Sequence, residues 1–288
     1  MINVENLQFT YPGNQSATIQ DVSFTVQQGE IFGLLGPSGA GKSTLQKIIM
    51  GVLKNYKGSV RVNEVEVKGI TSHFYENLGV AFEHPNFYQK FTAEENLQFF
   101  SSFYDGKEKN DLKLLMERLG LSDNLRTRVS DYSKGMKMRL NLCRALLHRP
   151  QFILLDEPTS GLDPVNVKKV KELILEEKEA GKTILLNTHN MHIAQSLCDR
   201  VAFIVDGKIV LIDSPENLMD EQEEKKVEVI YREGEERKKK TFLLKGLSKN
   251  KEFQTLLDRE VCESIRTDEK TLEDHFIEVT GRKLSDVT

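Results

Sequence analysis

The stretch Gly36-Pro37-Ser38-Gly39-Ala40-Gly41-Lys42-Ser43-Thr44 limits what this chain can fold into more than any other. It matches G-x-x-x-x-G-K-[ST]. It lies between the apolar run IFGLLG and KSTLQKIIMG, where Leu45, Ile48 and Ile49 recur at helical spacing. A strand, a glycine-rich turn and a helix in that order make a phosphate cradle. Successive backbone amides curl around the anion, and glycines take up the required angles without a Cβ clash. The helix turns the partial positive charge of its N-terminus toward the same anion. Lys42 would reach the β- and γ-phosphates, and Ser43 would offer its hydroxyl to Mg²⁺. By itself the motif specifies a nucleoside triphosphate and nothing finer.

FILLDEP, residues 152–158, is the second element. Its apolar residues read as a buried strand ending in two adjacent carboxylates, at the end where open parallel sheets bind ligands. Asp156 would hold Mg²⁺, directly or through water. Glu157 leaves the strand on the other side, so its carboxylate can meet an attacking water as general base. Alone, the pair would read as the start of a polar loop; downstream of a phosphate cradle the catalytic reading gains.

The surrounding pattern predicts an α/β fold with a P-loop NTPase core and a mostly parallel sheet. NVENLQFTY, DVSFTV and GSVRVNEVEV read as antiparallel strands near the N-terminus. From about residue 90 to 148 the pattern is helical, with Thr92 and Glu95 as a capping box. DLKLLMERLGL sets Leu112, Leu115, Met116 and Leu119 on one face, and SKGMKMRLNLCRALL is a second amphipathic helix. After Pro150, strands and helices alternate as a covered parallel sheet requires. Ser214-Pro215-Glu216 begins one more helix. Residues 221–240 are more than half charged, a linker or ribbon. A boundary near 220 is expected, with a nucleotide-binding domain over 1–220 and a small appendage of unknown role over 221–288.

Composition narrows the classes. The 288 residues allow one large domain or two small ones. Lys plus Arg number 40 and Asp plus Glu 44, a net charge of −4. That balance leaves no basic footprint for nucleic acid or an anionic membrane surface. No run approaches the roughly 18 apolar residues of a membrane span. MINVENLQFTYPG lacks the basic start and apolar core of a secretory leader. Cys143, Cys198 and Cys262 have no metal-like spacing and read as reduced thiols in a cytosolic protein.

Six elements in this order resemble the nucleotide-binding subunit of ATP-binding cassette (ABC) transporters, over residues 1 to about 220. Tyr11 in FTYPG matches the aromatic that stacks on adenine. YSKGMKMRL, residues 132–140, stands at the family signature, with Ser133 and Gly135 kept as the groups that would approach a γ-phosphate. SGLD, ending in Asp163, matches the loop after the catalytic Glu, and His189 in LLNTHN matches the switch histidine. Glu83 in AFEHPNFY stands where the family commonly has Gln and should reach the metal and the attacking water. It can instead point away, leaving His84 or Asn86 nearer the site. Lys134 replaces the first signature Gly, its charge lying near the nucleotide or facing solvent. Without the surrounding motifs, Ser133 would read as an ordinary helix cap and Tyr11 as a turn aromatic. His189 and His192, spaced i,i+3, lack the acidic or Cys partners of a metal site.

The resemblance implies an ATPase that uses ATP and Mg²⁺. It implies a head-to-tail pairing with a second copy or a related subunit, each ATP held between one Lys42 loop and the other chain's Ser133 and Gly135. It further implies a separate transmembrane permease and a peripheral place on the cytoplasmic face of the membrane. Phe87, Tyr88, Phe91, Phe99, Phe100, Phe103 and Tyr104 either line a groove for a short permease helix or build the helical subdomain's core. TLEDHFIEVTGRK, residues 271–283, resembles the tail of exporter-type ATPases and points to export of a drug, peptide, lipid or polymer. The competing readings are a soluble ABC-type ATPase of translation or DNA repair, and a degenerate cassette that binds ATP without turnover. Single-cassette length and mild acidity weigh against the first, and the presence of Glu157 and His189 against the second.

Overall fold

The computed structural model describes residues 1–104, 108–220, 226–258, 262–268 and 271–281. Two N-terminal strands, β1 (Ile2–Phe9) and β2 (Ile19–Val26), pair antiparallel. β3 (Ile31–Leu35) then leads through the glycine-rich turn into α1 (Lys42–Ile49). A ribbon of β4 (Lys57–Val62) and β5 (Val65–Glu66) joins the free edge of β1, giving a sheet of order β2-β1-β4-β5. In β1 the buried residues are Ile2, Val4, Leu7 and Phe9, so strict alternation slips once. The slip is a bulge at Asn6, whose φ is 48°.

The chain continues through α2 (Ser72–Tyr75) and β6 (Leu78–Ala81) into the helices α3 (Ala93–Ser101), α4 (Leu112–Arg118) and α5 (Lys134–Leu146). The Thr92–Glu95 capping box is formed: Glu95 N–H donates to Thr92 Oγ1 at 3.2 Å, and Thr92 N–H donates to Glu95 Oε2 at 2.7 Å. There follow β7 (Phe152–Asp156), α6 (Pro164–Glu179), β8 (Thr183–Thr188) and α7 (Met191–Leu197). The hairpin β9 (Arg200–Val205) and β10 (Lys208–Asp213) then precedes α8 (Pro215–Asp220).

The central sheet has the order β10-β9-β3-β8-β7-β6 and is parallel except at β10. β3 and β8 are buried at every position, because both faces of the sheet are covered. Alternate residues feed two cores. Ile31, Leu35, Ile153, Leu155, Ile184 and Leu186 face the helical side. Phe32, Leu34, Leu154, Leu185 and Ala202 face α1 and the N-terminal sheet. The strand order brings the carboxyl ends of β3, β8, β7 and β6 to one edge.

The charged stretch forms a hairpin of β11 (Lys226–Glu233) and β12 (Glu236–Leu243), while residues 221–225 lie outside the described residues. With α9 (Lys251–Asp258) and β13 (Cys262–Asp268) it makes a three-stranded sheet around Val227, Val229, Phe242 and Phe253. The last helix, α10 (Leu272–Thr280), opens with a Thr271–Asp274 capping box and joins the larger core through Leu272 and Phe276. The Phe276 ring meets Phe203 edge-on at 5.1 Å between centroids. Complete burial of such a ring contributes about 1.5–3 kcal/mol. Arg282 and Lys283 of the tail segment lie outside the described residues. Among the described residues no helix is long and apolar enough to cross a membrane.

Candidate nucleotide site

A cleft of about 380 Å³ opens at the common edge of the parallel strands. Ser38, Gly39 and Gly41 through Thr44 form one wall, Glu83 enters after β6, Asp156 and Glu157 close β7, and His189 follows β8. Gly39 and Gly41 have φ of 78° and 110°, the left-handed region that side chains rarely adopt. A Cβ on Gly36 would stand 2.1 Å from the Ile204 carbonyl oxygen, so β9 packs directly against the loop's first residue. Lys42 Nζ donates to the carbonyls of Gly36 and Pro37 at 2.6 and 2.9 Å. Burial lowers its pKa, opposed by the charges of Glu157, Asp156 and Glu83. Ala40 is buried and accepts from Gly207 N–H at 3.0 Å, which ties the loop to the β9–β10 turn.

The adjacent carboxylates live in different surroundings. Burial pushes the Asp156 carboxyl upward; a hydrogen bond from Asn187 opposes that, Glu83 and Glu157 reinforce it, and Lys42 opposes it. Glu157 is 6% exposed and takes a φ of 48°, a left-handed backbone costing about 1–2 kcal/mol in a non-glycine residue. Three donors hold its carboxylate. His189 N–H and Nδ1 lie 2.7 and 2.5 Å from Oε1, and Thr188 Oγ1 donates to Oε2 at 3.0 Å. A network of this kind fixes a carboxylate in one orientation.

The remaining residues fall into two places. Tyr11 is outside the cleft wall, but its hydroxyl is 3.3 Å from Thr44 Oγ1 and its ring sits edge-on to Phe9 at 4.8 Å, which sets it beside the loop. Glu83 lines the cleft, whereas His84 and Asn86 do not; the Glu83 carboxylate is 3.9 Å from His84 Nδ1. Ser133, Gly135 and Asp163 stand apart from that wall. Ser133 caps α5, accepting from Met136 N–H at 3.1 Å, and Asp163 caps α6, accepting from Val165 and Asn166 N–H at 3.0 Å. The two helix starts adjoin: a Cβ on Gly135 would meet Leu162 Cδ2 at 3.2 Å, and the exposed Lys134 lays its side chain over Gly161. The aromatics divide as well. Phe87 is buried, while Tyr88, Phe91, Phe99 and Phe103 stay exposed in a chain of ring contacts.

Gln46, Asn187 and Thr188 carry no motif signal, yet they are buried behind the cleft wall and hydrogen-bond to each other or to its carboxylates. Asn187 Nδ2 donates to Gln46 Oε1 at 2.7 Å and to Asp156 Oδ1 at 3.4 Å. One signal for the first two existed: each interrupts an apolar pattern, Gln46 within LQKII and Asn187 within ILLNT. For a divalent cation, the cleft offers three carboxylates against one lysine, and its oxygen donors suit Mg²⁺. Among the described residues no cluster of three His, Cys, Asp or Glu forms a metal cage. Ser43, Glu83 and Asp156 all line this cleft.

A family model described as ABC transporter matches residues 19–160. A "Fluoroquinolones export ATP-binding protein" of Mycobacterium tuberculosis (strain CDC 1551 / Oshkosh) is 46% identical over 286 residues, covering 99% of this chain and 95% of its own. A solved ATP binding subunit of an ABC transporter superposes with a TM-score of 0.68 at 27% identity, covering 76% of this chain and 91% of that one. A dimeric bacterial ABC transporter cassette gives a TM-score of 0.68 at 25% identity, with coverages of 74% and 98%.

Proposed function

The chain belongs to the family of ABC transporter ATP-binding proteins, and on that premise we propose that it is the ATP-hydrolysing subunit of an exporter whose membrane-spanning permease is a separate chain. The observation that carries this reading is the convergence of Lys42, Ser43, Glu83, Asp156, Glu157 and His189 on one cleft from four strand ends. Residues 1–220 carry the activity, with 221–288 as an added unit. The relative from Mycobacterium, named for export of fluoroquinolones, supports a drug as cargo.

Lys42 exchanges its loop carbonyls for the β- and γ-phosphates, and the loop amides bind the same oxygens. Glu157 takes the proton of the attacking water, while Thr188 and His189 hold its carboxylate in place. Mg²⁺, held by Ser43 and Asp156 with Glu83 near, would supply charge neutralisation on the phosphates. Tyr11 presents its ring to the base. Ser133 accepts from Met136 N–H and keeps its own proton to donate, so with Gly135 it suits the γ-phosphate of a second copy. Asp163 fixes the neighbouring loop at that contact. ATP then joins two copies and its hydrolysis releases them, a ligand-biased two-state element.

Two measurements test this. Ser133→Ala and Lys42→Ala variants, each inactive alone, are expected to recover part of wild-type turnover when mixed, because one intact composite site forms per mixed dimer. Absence of recovery removes the head-to-tail arrangement. In cells making the chain, it is expected to pellet with membranes only when its permease is present. Recovery wholly in the supernatant alongside the permease favours a soluble ABC-type ATPase.

A further inference from the structure

Gln46 and Asn187 are an unusual pair to find inside this core. Gln46 is 2% exposed on α1, flanked by Leu45, Ile48 and Ile49, and Asn187 is fully buried on β8. Their contact costs stability. Gln46 Nε2 and Asn187 Oδ1 are both buried with no hydrogen-bond partner among the described residues. An unpartnered buried polar group is destabilising, and apolar side chains of similar size would remove the penalty. A buried polar pair kept at that cost calls for a reason beyond packing.

The geometry supplies one. Asn187 stands in parallel register beside Asp156, and its two amide protons have two different acceptors. The short bond, 2.7 Å, runs to Gln46 Oε1, and the long one, 3.4 Å, to Asp156 Oδ1. An amide turned over would set its carbonyl oxygen against the Asp156 carboxylate, acceptor facing acceptor. The acceptor-only carboxylate fixes which way the Asn187 amide faces, and Gln46 Oε1 takes its other N–H, so the two contacts together hold the amide with one N–H aimed at Asp156. Asp156 Oδ2 has no hydrogen bond among the described residues, so one carboxylate oxygen is engaged and the other left open. Gln46 lies two residues beyond Thr44, on the helix that begins with Lys42 and Ser43, so the pair bridges the phosphate-binding helix to the β7 carboxylate.

We propose that Gln46 and Asn187 are positioning residues that clamp one oxygen of Asp156 and thereby present the other to the divalent cation of the nucleotide complex. This rests on the reading of Asp156 as a metal-holding residue. Partners of this kind, one shell behind a ligand, typically change metal affinity by about 10–100-fold when removed.

The test measures Mn²⁺ affinity of the full-length protein saturated with a non-hydrolysable ATP mimic, read from the loss of the free Mn²⁺ resonance signal. No turnover is required. Asn187→Ala is expected to weaken Mn²⁺ binding about tenfold while metal-free nucleotide affinity stays within about twofold. Gln46→Met, close in volume and without the acceptor, is expected to weaken it in the same direction and keeps the test alive should Asn187→Ala fail to fold. Combining the two should add little beyond Asn187→Ala, since Gln46 acts only through Asn187. Unchanged Mn²⁺ affinity in folded single variants, or fully additive losses, overturns the clamp. Asp156→Asn separates the two ideas: if it too leaves Mn²⁺ affinity unchanged, the metal reading falls and the clamp with it. If it weakens binding while the amide variants do not, the clamp falls alone.

Discussion

Replacing Glu157 with glutamine is expected to lower ATP turnover at least about a hundredfold while ATP binding survives. The loss follows from chemistry, because an amide oxygen is far too weak a base to accept a proton from water at neutral pH. Survival of binding follows from the hydrogen bonds around the side chain. Oε1 accepts from His189 N–H and lies 2.5 Å from His189 Nδ1, and an amide oxygen can take the same place. Oε2 accepts from the Thr188 hydroxyl, which can rotate and accept instead from the new NH₂ group. The left-handed backbone at this position is met equally well by either residue. Single-turnover hydrolysis alongside equilibrium binding of labelled ATP checks both halves. Near-normal turnover would remove Glu157 from its role.

Lys42→Ala should strike the other half, abolishing measurable nucleotide binding with a loss of at least about a hundredfold, near 3 kcal/mol. Two effects combine. The variant loses a charge-assisted contact to the phosphates, worth about 1.5–3 kcal/mol. It also leaves Glu83, Asp156 and Glu157 facing the cleft without the ammonium that offsets them, so the site turns repulsive to a polyanion. Isothermal titration without metal isolates the effect, and unchanged ATP affinity there would contradict the phosphate-cradle assignment. The pair of variants also discriminates between failures. A generally damaged fold would lose binding in both, whereas the proposed roles put binding loss in Lys42→Ala and turnover loss in Glu157→Gln.

Local chemistry explains which parts were legible in the sequence. The phosphate turn, the Thr92 capping box and the strand ending at Asp156 are written in contiguous residues, and each formed where its pattern predicted. The two-core arrangement follows from alternation within β3, β7 and β8, which sorts neighbours to opposite faces. Contacts between residues far apart in the chain were harder. Nothing near Gln46 indicates that it meets Asn187, 141 positions later, because pairing depends on the strand order. Thr188 carries no local mark of its contact with Glu157, which depends on the pairing of β7 with β8. The aromatic segment admitted two readings that periodicity could not separate, and burial distinguishes its rings: Phe87 is enclosed, while Tyr88, Phe91, Phe99 and Phe103 stand exposed. Lys134 was likewise undecided between nucleotide and solvent; its stem runs along Gly161, a neighbour that sequence distance conceals.

The return of α10 sets the far end of the polypeptide behind the strands that lead to the cleft. Phe203, which Phe276 covers, stands in register beside Leu35, the last residue of β3 before the glycine-rich turn. A product clipped ahead of Thr271 would retain every residue of the cradle and yet lose the masonry behind it. An aromatic ring would be left facing water on the strand beside the one from which the cradle springs. Damage at the tail is therefore expected to surface as clumsy handling of nucleotide, at a site many residues upstream of the lesion.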